Sequence, residues 1–280
     1  MISTLTQSLQ LAPSQLFVAD LAAMTRFYVT QVGLEVLESS PTRHLLGYNH
    51  TGVIELSAKP NLAFAGPREA GLFHNAIVFA SRGELSRAAG RVLATSPQLF
   101  TGTGDHLVSE AFYFNDPEGN GVELYFDRPS ETWQWSNGHV AMDTLYIDPV
   151  AYINVNASEY NESDKKLGHV HLRVGDISEA RRFYVTLLGF DITASFPGAL
   201  FVSIGGYHHH IGLNTWMSAG AGLRMPSLGL SDIKITLASA DDVSHLAARL
   251  EASMYPFQYK QGVVHVADPW GNGLIFTENK

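Results

Sequence analysis

Arg26-Phe27-Tyr28-Val29-Thr30-Gln31-Val32-Gly33-Leu34 returns 156 residues later as Arg182-Phe183-Tyr184-Val185-Thr186-Leu187-Leu188-Gly189-Phe190. A second motif recurs at the similar offset of 152: Asp116-Pro117-Glu118-Gly119-Asn120-Gly121 and Asp268-Pro269-Trp270-Gly271-Asn272-Gly273. Two motifs repeating in one order at nearly one spacing mark a duplicated unit fused into a single chain. The halves are assigned to residues 1–127 and 167–280, with 128–166 as the linker.

Each half divides again into two modules, each a strand, a helix and then several strands. In the third module residues 170–174 form the strand. Asp176 with Glu179 three residues on is a capping box, Ile177, Ala180, Phe183, Tyr184 and Leu187 share one helical face, and Gly189 ends the helix. The first module repeats the scheme with Asp20 as cap, Leu21, Met24, Phe27 and Tyr28 facing inward, and Gly33 as stop. The second starts at 73–80 with a helix near 83–94; the fourth starts at 232–238 with a helix near 240–252. The linker carries Trp133, Trp135 and a polar run over 158–166, and is expected to pack only in part.

At 280 residues and 45% hydrophobic content, the chain can fill two cores. No run of eighteen apolar residues is present, and the first residues lack a basic segment followed by an apolar core, so neither a membrane span nor an export signal is expected and a cytoplasmic location is. The absence of cysteine removes disulfides, thiolate ligands and a cysteine nucleophile, leaving His, Asp and Glu as metal ligands. A net charge of −9 argues against nucleic acid or an anionic membrane as partner and favours a small molecule.

Residues 104–123, GDHLVSEAFYFNDPEGNGVE, carry the chemistry. Residues 111–114 read as a strand, 116–121 as a tight turn and 122–126 as the returning strand, which sets Glu123 beside Tyr113. Gly-x-His, five residues, an apolar residue and Tyr, then Asp-Pro-x-Gly and a carboxylate: this order resembles the signature of type I extradiol ring-cleavage dioxygenases, the catechol 2,3-dioxygenase-like enzymes of the vicinal-oxygen-chelate (glyoxalase/bleomycin-resistance) superfamily. The resemblance implies an α+β fold of four βαβββ modules forming two curved, half-open mixed β-sheet barrels with helices outside.

It also implies an Fe(II) site of two histidines and one carboxylate, with Mn(II) as the alternative metal, that binds a small aromatic diol and O2. Aligning the modules places Pro13, His74, His169 and Asp232 at the strand-opening position, and Glu55, Glu123, Gly212 and Ile275 at the last-strand position. His74, Glu123 and His169 are the set that matches, which puts one site between the second and third modules. His171, on the same strand face as His169, is the rival ligand. In Tyr207-His208-His209-His210-Ile211-Gly212-Leu213, the family pattern makes His209 the acid–base residue, with His210 as its neighbour of undetermined role. By the same resemblance His106 and Tyr113 are hydrogen-bond donors to the reacting oxygens. His44, His50, His139, His245 and His265 match nothing and read as structural or exposed.

Two other readings stay open on this scaffold: a glyoxalase-like isomerase or lyase, which uses a fourth ligand where this chain has Gly212, and a non-catalytic binding protein of the antibiotic-sequestering kind. The substrate's identity is undetermined, and a homodimer is compatible with the sequence.

Overall fold

Four times along the chain an apolar strand is followed by a capped helix and then by three antiparallel strands. The computed structural model describes residues 9–158 and 164–279, so residues 159–163 of the polar run lie outside the described residues. A short β1 (Leu9–Leu11) precedes the first module: β2 (Ser14–Val18), α1 (Leu21–Phe27), β3 (Glu35–Ser39), β4 (Arg43–Tyr48) and β5 (Thr51–Ala58). The second is β6 (Gly71–Phe79), α2 (Arg82–Thr95), β7 (Phe100–Asp105), β8 (Ser109–Asn115) and β9 (Gly121–Asp127). The connection holds β10 (Trp135–Ser136), β11 (His139–Val140) and α3 (Pro149–Asn156). The third module is β12 (Lys165–Arg173), α4 (Ile177–Ala180), β13 (Asp191–Phe196), β14 (Ala199–Ser203) and β15 (Ile211–Asn214). After β16 (Gly229–Leu230) the fourth is β17 (Asp232–Leu237), α5 (Ala240–Ala252), β18 (Phe257–Lys260), β19 (Val263–Ala267) and β20 (Gly273–Glu278).

The chain forms two compact units. One holds Leu16–Leu62 and His74–Gly168; the other holds the chain up to Gln15, Ala63–Phe73 and the chain from His169 onward. In the first unit the strands run β2-β5-β4-β3 and β6-β9-β8-β7; in the other, β12-β15-β14-β13 and β1-β17-β20-β19-β18. These are curled, half-barrel mixed sheets with few helices. The first strand of a module lies parallel to its last, as β6 does to β9, β12 to β15 and β17 to β20. Residues far apart in sequence thereby become neighbours: Ala76 faces Glu123 in the parallel β6–β9 register, while the β8–β9 hairpin sets Tyr113 on the other side of Glu123.

The helix caps follow the sequence. Asp20 accepts from the Ala23 N–H at 2.9 Å, Ser81 from Glu84 at 3.2 Å, Asp176 from Glu179 at 2.7 Å and Ser239 from Asp242 at 3.2 Å, each satisfying a donor that a helix start leaves open. Beyond α1 and α4 the helices differ from the continuous amphipathic pattern. Tyr28–Val32 and Arg181–Leu187 wind as π-turns, with i→i−5 bonds such as Gly33 N–H to Tyr28 O at 3.0 Å and Leu188 N–H to Phe183 O at 2.9 Å. Both end at a left-handed glycine, Gly33 (φ 91°) and Gly189 (φ 89°), a conformation that costs other residues energy.

The wider turn directs a tyrosine onto the second repeated motif. Tyr28 donates to Asp116 Oδ2 at 3.1 Å, and Tyr184 donates to Asp268 Oδ2 at 3.1 Å. Each aspartate also closes its own turn: Asp116 accepts from the N–H groups of Glu118 and Asn120, Asp268 from those of Trp270 and Asn272. The two motifs that recur together in the sequence therefore touch in the structure, once in each half. Tyr28, Tyr184, Phe27, Phe79 and Phe112 are all fully buried, and each contributes about 1.5–3 kcal/mol by removing apolar surface from water. No helix among the described residues is long and apolar enough to cross a membrane.

Candidate metal centre

His74, Ala76 and Val78 share one face of β6. Ala76 and Val78 pack with Ala111, Tyr125 and Tyr113 into a small cluster on the inner side of the curl. The parallel β6–β9 register brings Glu123 to this face, where His74 Nε2 lies 2.9 Å from Glu123 Oε2. His169 lies on β12 directly after Gly168, where a Cβ would collide with the Tyr125 hydroxyl; the strand can occupy that path only with glycine there. His74, Glu123 and His169 are 5%, 2% and 1% exposed. A carboxylate so deeply buried is costly unless positive charge or donors face it. Two imidazole nitrogens and a carboxylate oxygen are a donor set that a divalent first-row ion fits.

Tyr113 stands beside this group. Burial, and then the Glu123 carboxylate next to it, push its phenol well above the ordinary tyrosine range, so the hydroxyl keeps its proton. Its ring lies 5.6 Å from that of His74, and its oxygen is 2.6 Å from His106 Nε2. His106 lies over Gly104, where a Cβ would fall 2.7 Å from Nε2; this is the physical reason for the Gly-x-His spacing. Leu107, at φ 69°, makes the tight turn that points His106 inward, and Asp105 Oδ1 accepts its N–H.

The three consecutive histidines are buried, not displayed on a loop: His208 is 0%, His209 5% and His210 9% exposed. The His209 ring centroid is 4.1 Å from that of His169, and its Nδ1 is 2.7 Å from His208 Nδ1. One of those two nitrogens must carry the proton of this contact, so the tautomers of His208 and His209 are coupled, a partnership the sequence did not single out. Thr193 in turn fixes His208 by donating to its carbonyl at 2.5 Å. His210 is engaged by Ser203 at 2.8 Å. His171 faces another way: its Nε2 is 3.1 Å from Asn214 Nδ2, and Asn214 Oδ1 accepts the Trp216 N–H, an orientation that makes the imidazole nitrogen the acceptor. A nitrogen so occupied is not free to ligate. The position opposite His171 is Gly212, where a Cβ would sit 2.8 Å from the imidazole, so no larger side chain fits there.

The profile of the Glyoxalase/Bleomycin resistance protein/Dioxygenase superfamily matches residues 10–124 and 166–276, most of the chain and both halves of the repeat. The chain belongs to this superfamily. Within the superfamily it is 34% identical over 271 residues to a catechol-2,3-dioxygenase of Bacillus subtilis (strain 168), spanning 94% of each chain. Solved superfamily-like folds agree in architecture. Glyoxalase I from Zea mays overlays with a TM-score of 0.60 at 15% identity, over 97% of this chain and 92% of that one. The cppA protein of Streptococcus pneumoniae TIGR4 gives 0.60 at 10% identity over all of both chains.

Proposed function

We propose that this member of the superfamily is an Fe(II)-dependent extradiol dioxygenase. It cleaves a catechol-type ring with O2, adjacent to the diol, to give a semialdehyde acid. The observation that carries the reading is the buried pair of His74 Nε2 and Glu123 Oε2, 2.9 Å apart, to which the family pattern adds His169 as the third ligand. It stands in a chain 34% identical to a protein named for that activity. Held by those three residues, Fe(II) would bring diol and O2 into one coordination sphere and lower the proton affinity of the diol.

The remaining roles fall to the chain's own groups. His209, adjacent to His169 and tuned by His208, takes and returns a proton. His106 and Tyr113 hydrogen-bond the reacting oxygens. Gly212 argues against a glyoxalase-like reaction, since the His171 ring fills the place where a fourth ligand's side chain would begin.

The test is anaerobic loading with Fe(II), addition of catechol, admission of O2 and observation of the yellow ring-fission product. A chain that binds Fe(II) tightly yet forms no such product removes the dioxygenase assignment. One that retains no metal favours the binding-protein alternative.

A further inference from the structure

The connection between the two halves belongs to neither repeat, yet it reaches the Tyr113 side of the candidate site. Leu145 forms an antiparallel bridge with Asp105 through two backbone hydrogen bonds, Asp105 N–H to Leu145 O at 2.8 Å and Leu145 N–H to Asp105 O at 2.9 Å. Thr103 Oγ1 donates to Ile147 O at 2.7 Å. The connection is thereby tied to β7, and it brings the Asp143 carbonyl to 2.8 Å from His106 Nδ1. A carbonyl only accepts, so Nδ1 carries the hydrogen, and a neutral imidazole protonated there offers Nε2 as an acceptor. The Tyr113 hydroxyl, 2.6 Å from that Nε2, is placed to donate to it.

We propose that the segment Asp143–Ile147 is a positioning element for the reaction: through the Asp143 carbonyl it holds His106 protonated at Nδ1, with Nε2 turned to the Tyr113 hydroxyl. This rests on the dioxygenase reading and reverses the polarity that the family pattern gives His106. Few charges face this ring. Asp105 is paired with Arg128 at 2.7 Å, and the Asp143 carboxylate takes the Thr144 N–H at 2.8 Å. Thr144 Oγ1 is a further neighbour, 3.4 Å from Nδ1.

The experiment is 15N NMR of the imidazole nitrogens in the full-length chain, with the His106 signals assigned by His106→Gln. It is paired with steady-state pH profiles of the Fe(II)-loaded chain on catechol. The expected wild-type signature is Nδ1 protonated and Nε2 bare. Leu145→Pro removes one bridge hydrogen bond and should shift the ring toward a mixed tautomer, lower kcat/KM about tenfold and move the acidic limb of the profile, whereas Leu145→Ala should leave all three unchanged. Thr103→Val provides a milder loosening should the proline variant fail to fold. His106→Gln and Tyr113→Phe should each lower kcat/KM, and the double variant should lose no more than the worse single one. A wild-type ring protonated at Nε2, or losses that multiply, overturns the proposal. If the iron-loaded chain cleaves no diol, the dioxygenase reading falls separately, and the tautomer still decides whether Asp143 positions His106.

Discussion

Gly104 shows how a single missing atom can set chemistry. A methyl group there would occupy the space of His106 Nε2, 2.7 Å away, so Gly104→Ala should displace the imidazole from Tyr113. Because the backbone there is not in the left-handed region, the cost falls on the contact and not on chain conformation. Turnover is expected to fall roughly ten- to hundredfold with a thermal midpoint close to wild type; a large fall in the midpoint instead would assign Gly104 to folding. For His209→Ala the expectation is retained metal and a loss of roughly two to four powers of ten in turnover, read by metal analysis beside single-turnover kinetics. Loss of metal would make His209 a ligand. At this scale His74, Glu123 and His169 were legible because each stands at a corresponding place in repeated modules. His208 and Asp143 were not. One acts through a neighbour's tautomer, and the other through a backbone carbonyl that every residue possesses.

Among the elements, the helices and hairpins could be read from caps and periodicity, but the π-turns could not, since the tyrosine each one directs meets its partner in a turn 88 or 84 residues away. That bond has a pH signature. Burial raises Asp116 to about 6, against the hydrogen bonds from Asn120, Glu118 and Tyr28 that pull it down. A carboxyl whose native pKa exceeds its unfolded value of about 3.9 holds its proton more tightly when folded. Its contribution is therefore complete below about pH 4 and is lost as pH rises through about 6, a change of about 3 kcal/mol. Asp268 moves in the same direction, also through burial. Urea unfolding of wild type and Asp116→Asn at pH 4 and pH 7 should show wild type losing stability relative to the variant across that window. A stability difference that does not change with pH would mean that Asp116 titrates alike in the folded and unfolded chain. The linker is the element whose reading was least complete. Beyond a partly packed connection it supplies α3, where Tyr152 donates to Glu110 at 2.7 Å, and the Leu145 bridge to β7. No periodicity announces a segment whose partners lie in another part of the chain.

For the whole molecule, the duplicated sequence announced four modules, and four are present. The histidines are distributed unequally among them. Pro13, Glu55, Asp232 and Ile275 hold the corresponding positions in the first and fourth modules. There, Glu55 is 3.5 Å from Arg43, and Asp232 accepts from Ser231 at 2.7 Å. Elemental analysis after Fe(II) loading is expected to give one metal per chain, and none for His74→Ala or His169→Ala. A second equivalent in wild type, or one retained in either variant, would reject the assignment. Chelation should lower the thermal midpoint, because an ion that binds only the folded chain stabilises it by mass action.

The tyrosine–aspartate fastening occurs twice with the same geometry, 3.1 Å in both halves, although the strand-opening residues around it have diverged from proline to histidine to aspartate. What holds the halves in shape and what reacts are thus written at different addresses. New donor sets could be installed at Pro13, Glu55, Asp232 or Ile275 while both fastenings stay untouched, which makes the first and fourth modules the natural place to engineer a second chemistry into this chain.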